Sequence, residues 1–326
     1  MTSAPPVTRL APSPTGHLHL GNAWSFLIAW LAARSAGGKV YLRMDDIDPA
    51  RSRRDYGDAI LRDLEWLGLD WDSWQGQDIV WQSARTGAYE NVLARLCGSG
   101  LVYPCFCSRR EIRMLANAPH PGDEGAPYFG KCRLLSEAEL AGRAGRPHSL
   151  RLATPELNVE FRDLIQGRQD FSRSAWGGDF ALRRPDGVWA YQLASVVDDA
   201  EMGVNLVVRG RDLLASTARQ ILLGNALGYS MPAYAHLPLL LDGTGQRLAK
   251  RRQGLALGSL RDIGWSGEAV IGLLAFLGGL RPDSSPLPAQ TLLPFFRLEL
   301  IRPDDIFLPP DLDLQEEAKG NGMQGH

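Results

Sequence analysis

Lysine is almost missing from this chain: it stands only at positions 39, 131, 250 and 319, with arginine at every other cationic position. The net charge is -2, which excludes a uniformly basic, nucleic-acid-coating protein but leaves room for a local basic face. Arginine-rich clusters that could build one lie at 51–54, 109–110, 183–184 and 250–252. Cysteine is scarce as well, at 97, 105, 107 and 132 only. That number and crowding exclude a secreted disulfide framework, and in a cytoplasmic chain they suggest a metal. No apolar run approaches the roughly 20 residues needed to cross a bilayer. The N-terminus, "MTSAPPVTRL", has no basic segment followed by an apolar one. A soluble, cytoplasmic protein without membrane contact is expected. The first strand is followed by neither a P-loop nor a dinucleotide-binding fingerprint, so the common nucleotide motifs are excluded there.

Present instead is an α/β alternation. "VTRL" reads as a first strand, stopped by Pro12 and Pro14. "GNAWSFLIAWLAARSAGG" has apolar residues at helical spacing and is ended by Gly37 and Gly38. "KVYLRMDD" reads as a second strand, and "RRDYGDAILRDLEWLGLDWD" as an amphipathic helix with Ile60, Leu64 and Leu67 on one face. "TGAYENVLARLCGSGLVYPC" is a helix running to a strand, with Cys97 read as a core residue. Such alternation implies a parallel sheet covered by helices. Residues 117–130 are rich in Pro and Gly and loop-like. The pattern returns with a strand at 204–208, a helix behind it, and a further strand at "YAHLPLLLD". Short helices follow, and the polar tail reads as disordered. The expected division is 1–104, an inserted segment 105–190, 191–254, a helical region 255–312, and the tail 313–326.

The stretch "LAPSPTGHLHLGNAW" joins a strand, a tight Pro/Gly turn and a helix N-terminus. Free N–H groups and the helix dipole favour an anion there. "HLGN" at 19–22 resembles the HIGH signature of class I aminoacyl-tRNA synthetases, and "RLAPSPTGHLHLGNA" resembles the start of their glutamyl branch. "RLAKR" at 247–251 stands where that class has KMSKS. Only residues 252–326 follow it. With so little room for an anticodon-reading domain, the chain resembles the glutamyl-queuosine tRNA(Asp) synthetase family.

The resemblance implies a Rossmann-like class I catalytic domain with a zinc-bearing insertion and a short helical region. It implies ATP-dependent activation of L-glutamate and transfer to queuosine in the anticodon loop of tRNA(Asp), by a monomer. Alternatives are a truncated synthetase charging a tRNA 3′ end and a silent RNA-binding paralogue. The family's glutamate site maps onto Arg9, Leu10, Ala11, Pro12, Ser13, Asp45, Tyr191 and Arg209. The chemistry agrees: arginine forks suit two carboxylates and an acid suits the ammonium. Asp45 stands where many members carry glutamate. ATP, with Mg2+, is assigned to His17, His19, Gly21 and Lys250. Arg247 replaces the signature's first lysine and Ala249 its serine. "CFC" at 105–107 and "YFGKC" at 128–132 match the family's zinc pattern, giving Cys105, Cys107, Tyr128 and Cys132 as ligands of one structural Zn2+. By chemistry alone His120, Asp123 and Glu124 are more ordinary fourth ligands.

Overall fold

The computed structural model describes residues 4–108, 110–112, 127–246 and 256–309. Its first half runs β1 (Val7–Leu10), α1 (Leu20–Arg34), β2 (Lys39–Met44), α2 (Arg54–Trp66), β3 (Val80–Trp81), α3 (Thr86–Gly98) and β4 (Val102–Cys105). The middle contributes α4 (Glu137–Ala141), β5 (Ser149–Leu152), β6 (Val159–Asp163), β7 (Gly167–Phe171), α5 (Arg173–Trp176) and β8 (Ala181–Arg183). There follow α6 (Tyr191–Glu201), β9 (Leu206–Gly210), α7 (Leu214–Leu227), β10 (Ala233–Leu237), β11 (Leu240–Leu241), α8 (Leu257–Asp262), α9 (Gly267–Leu277) and β12 (Ile306–Phe307).

Strands β1, β2 and β3 form one parallel sheet, with Val7 opposite Lys39 and Arg43 opposite Val80. A second sheet has the order β7-β6-β10-β9, with β9 and β10 parallel. The two sheets meet where β1 approaches β9. Asn205 stitches their near ends: its backbone N–H donates to the Val7 carbonyl, and its side-chain oxygen accepts from the Val7 N–H. Farther along, no strand ladder joins them among the described residues. A crevice therefore opens toward the carboxyl ends of β1 and β9. That is the place where an open α/β sheet reverses its order and takes ligands.

Eleven of the fifteen residues of α1 are buried. A helix apolar all round belongs inside, and α1 packs against β1, β2, β9 and α9 at the centre of the main core. The indole N–H of Trp24 donates to the Pro238 carbonyl at 3.1 Å and that of Trp30 to Asp70 at 2.6 Å, so neither buried tryptophan leaves a donor unmet.

The middle segment is divided between two bodies. Strands β4, β5 and β8 make a small antiparallel sheet. β6 instead joins β10 in parallel through Asp163 and Tyr234, with β7 hairpinned onto its outer edge. Residues 159–171, counted with the insertion from sequence, thus extend the sheet of the second half. Cys97 is exposed, not core. The buried stripe of α3 is Tyr89, Val92, Leu93 and Leu96, and Cys97 falls one position off it. The strand expected at 204–208 begins two residues later, because the Val204 N–H still bonds the Asp199 carbonyl at the end of α6.

Candidate active site

Strand β1 ends in the turn 11–19, which delivers the chain to the N-terminus of α1. His19 caps that helix: its Nδ1 accepts from the Gly21 N–H at 3.1 Å, and the Asn22 side chain accepts from the His19 N–H. Burial lowers the proton affinity of His19, so the imidazole is neutral and its single proton sits on Nε2, a donor. His17 stacks edge-on against Tyr56, with ring centres 5.0 Å apart. The chain also returns to this turn. The Leu257 N–H bonds the Leu18 carbonyl at 2.8 Å, and Ala256 bridges His19.

The crevice holds an ion network that joins β1, β2 and α6. Arg43 is fully buried. Its Nε donates to Asp45 at 2.7 Å and its Nη1 to Asp199 at 2.6 Å, and Asp198 lies 3.8 Å away. Asp199 also accepts from Arg9 Nε at 3.1 Å. Burial disfavours the charged form of Arg43, but Asp45, Asp199 and Asp198 outweigh it and keep the guanidinium protonated. Asp199 is driven up by burial and pulled further down by Arg9 and Arg43, so it stays ionised. Asp45 goes the other way. Burial exceeds the help of Arg43 and pushes its carboxyl up to about 6.

Arg209, on β9, lines the same cavity as Arg9. Its Nη1 donates to the Tyr191 hydroxyl at 3.2 Å and its Nη2 to Thr217 Oγ1 at 2.7 Å. Arg9, Ala11, Pro12, Ser13, His17, His19, Gly21, Asp45, Tyr191 and Arg209 all line one cavity of about 1170 Å³. Sequence placed these residues in one site, and the structure brings them to one wall system. Leu10 differs: its side chain is fully buried in the main core beside α1. Asp46 accepts from Ser83 and does not line the cavity, whereas Asp48 lines it while paired with Arg184 at 2.7 Å. Lys250, Arg247 and Ala249 lie outside the described residues, as do His120, Asp123 and Glu124.

The network partners Arg43, Asp198, Asp199 and Thr217, and His236, whose Nε2 accepts from Arg209 Nε at 3.1 Å, were not found from sequence. Asp198 and Asp199 stand among several polar residues of α6, and Thr217 among several of α7, where they read as surface positions. The available signal was Arg43, two residues before Asp45 in a strand that is apolar apart from Lys39 at its exposed start.

Residues 6–285 match the model of the class I tRNA synthetase (E and Q) catalytic domain. The chain belongs to this synthetase family. It is 54% identical over 286 residues to the Glutamyl-Q tRNA(Asp) synthetase of Nitratidesulfovibrio vulgaris, covering 85% of this chain and 88% of that protein. The Glutamyl-Q tRNA(Asp) synthetase of Symbiobacterium thermophilum is 48% identical over 312 residues, covering 93% of this chain and 96% of that protein. In fold, the chain is similar to a glutamate tRNA ligase from Elizabethkingia meningosepticum in complex with its amino acid, with a TM-score of 0.82 and 25% identity. That match covers 98% of this chain and 69% of the ligase. As an aminoacyl-tRNA synthetase, the chain is a ligase of the ATP-using class I type.

The synthetase carries a second constellation on the small sheet. The sulfurs of Cys105, Cys107 and Cys132 all lie within 4.8 Å of one another, against the about 3.8 Å that separates sulfurs tetrahedrally bound to one zinc at ~2.3 Å. Tyr128 is buried beside them, with its hydroxyl 3.6 Å from Cys107 Sγ. The Cys132 N–H donates to that hydroxyl at 2.8 Å, and the Arg151 guanidinium lies 4.4 Å from the ring centre. The Cys132 N–H favours negative charge on the phenol oxygen, but burial and the hydrogen bonds with the neighbouring thiols outweigh it and push the Tyr128 phenol well above its usual range, so the three sulfurs carry the match. The donor set therefore fits a metal that prefers sulfur. Among the described residues no helix is long and apolar enough to cross a membrane.

Proposed function

We propose that the chain activates L-glutamate with ATP and transfers the glutamyl group to queuosine in the anticodon loop of tRNA(Asp), acting in the cytoplasm as a monomer. The observation that carries the reading is the meeting of two buried guanidiniums, Arg9 and Arg209, with one carboxylate, Asp45, in one crevice. Glutamate presents the complement, two carboxylates and one ammonium. Arg9 and Arg209 each hold a carboxylate, Asp45 holds the ammonium, and Tyr191 donates a hydrogen bond. The backbone from Leu10 to Ser13 borders the amino acid. The two relatives named as Glutamyl-Q tRNA(Asp) synthetases, matched over nearly their whole length, support the choice of acceptor.

ATP lies on the turn at 12–22, with His17 and His19 as donors, Gly21 bordering it and Lys250 on the triphosphate. A carboxylate oxygen of glutamate attacks the α-phosphorus, the bond to the β-phosphate bridge breaks, and pyrophosphate leaves. A hydroxyl of queuosine then attacks the acyl carbon of the adenylate and AMP departs. The protein aligns the groups and meets developing charge with preset donors. Mg2+ accompanying ATP neutralises phosphate charge and is held mainly by phosphates and water. Cys105, Cys107, Tyr128 and Cys132 would hold a structural Zn2+, which would tie the end of β4 to the 128–132 segment.

Glutamate-dependent exchange of labelled pyrophosphate into ATP tests the first step. Exchange with glutamate and not with aspartate or glutamine is the expected result. Equal exchange with glutamine would remove the role given to the second guanidinium.

A further inference from the structure

Arg209 is bonded on all three of its nitrogens, and the third partner is an unexpected one. Nε donates to His236 Nε2 at 3.1 Å. His236 lies on β10, is fully buried, and has its Nδ1 2.6 Å from Asp163 Oδ2. Asp163, also buried, accepts in addition from the N–H groups of Ile165, Gln166 and His236. Thr217 Oγ1 completes a ring, 3.0 Å from His236 Nε2 and accepting from Arg209 Nη2 at 2.7 Å.

These contacts fix the state of the imidazole. A guanidinium has donors only and a carboxylate acceptors only. The ring proton must therefore sit on Nδ1, facing Asp163, and Nε2 must present its lone pair to Arg209. A doubly protonated ring would aim an N–H at an N–H. Burial and the nearby charge of Arg209 lower the proton affinity of His236, although Asp163 opposes them. Asp163 is pushed up by burial but held below its usual range by His236 and by the Gln166 and Ile165 N–H groups. The pair is thus a carboxylate and a neutral imidazole.

We infer that His236 is a positioning residue: Asp163 sets its tautomer, and its Nε2 locks Arg209 in the orientation that receives a carboxylate of the amino acid. The inference rests on the proposed role of Arg209 in glutamate binding. It assigns β6, a strand of the middle segment, an indirect part in amino-acid affinity, through His236 and Arg209, because Asp163 is its last residue. Without Nε2 the guanidinium keeps two anchors and gains freedom about its last side-chain torsions. That freedom must be given up on binding, which weakens capture of glutamate without touching ATP.

Steady-state glutamate-dependent pyrophosphate exchange on the full chain tests this, with melting temperatures recorded for each variant. His236→Phe keeps the ring volume and removes the acceptor. It should raise KM for glutamate about tenfold or more, the loss expected for one hydrogen bond to a charged group, with kcat and KM for ATP within about twofold. His236→Gln restores an acceptor and should recover most of that loss. Asp163→Asn reverses the polarity: its amide donates to Nδ1, drives the proton to Nε2, and should raise KM for glutamate like His236→Phe. The inference is overturned if His236→Phe and Asp163→Asn leave KM for glutamate unchanged, if His236→Gln is as impaired as His236→Phe, or if all three variants shift both KM values in step with melting temperature. Arg209→Ala separates the layers. An unchanged KM for glutamate there removes the reading of Arg209 itself. A raised KM with silent His236 and Asp163 variants removes only the positioning role.

Discussion

Asp45 shows how much one side chain's environment decides. Sequence offered it as the partner of the glutamate ammonium, with a chain one methylene shorter than the residue many relatives carry. The structure adds Arg43, which holds both its oxygens at 2.7 and 3.4 Å, and a burial strong enough to raise the carboxyl to about 6. Only the ionised form pairs with an ammonium, so the ionised fraction falls as pH drops through that value. KM for glutamate should therefore be flat above pH 7 and rise toward about tenfold per pH unit below 6, the slope of a single titration. A plot of log KM against pH checks this, and Asp45→Asn should flatten it while raising KM at pH 7.5. Arg43 carries a different expectation. Arg43→Met leaves Asp45 and Asp199 buried without their shared cation, and loss of one partner from a buried ion network costs about 3–5 kcal/mol. Urea denaturation at pH 7.5 should show that loss. A change below about 1 kcal/mol would mean the carboxylates are rescued by solvent.

Among the elements, α1 was the most legible and the buried ion network the least. The two prolines, the apolar spacing and the closing glycines mark β1, the turn and α1 from local sequence alone, because every signal lies within the element it defines. Cys97 was misread for a local reason too: in a helix with its stripe at Tyr89, Val92, Leu93 and Leu96, an apolar neighbour one position off still looks periodic. Nothing local announces Asp163 with His236, or Arg43 with Asp199. Those partners come from strands and helices brought together only by the sheet order, and β6 pairs with a strand far along the chain. The α1 N-terminus also separates folding from chemistry. His19→Ala removes a cap and should cost about 1 kcal/mol. His19→Asn keeps an acceptor for the Gly21 N–H and should restore stability in thermal melts, yet not activity, because the Nε2 donor is gone. At the three cysteines, Cys132→Ser should reduce bound zinc from one per chain to a trace by elemental analysis. Retention of full zinc would contradict the ligand set.

For the whole molecule the governing feature is the crevice between β1 and β9. Asn205 holds the two strands together at one end, and farther along no ladder joins them among the described residues. Arg9, Asp45, Arg209 and Tyr191 line the cavity there, and Arg9 reaches over to Asp199 of α6 at 3.1 Å and the Val208 carbonyl of β9 at 3.5 Å. The cavity of about 1170 Å³ is larger than glutamate needs, and this is the geometry required of an enzyme that must admit an amino acid, ATP and a nucleoside at one centre. Relatives named for glutamylation of queuosine-bearing tRNA(Asp) match the chain over 88% and 96% of their lengths. The central claim is the acceptor, and the acceptor can be read directly. Purified tRNA(Asp) from a queuosine-containing pool and from a queuosine-free pool is incubated with enzyme, ATP and radiolabelled glutamate, and the label retained on each is counted. The account predicts label on the queuosine-containing tRNA alone. Equal label on both pools would place glutamate at the 3′ end and contradict it.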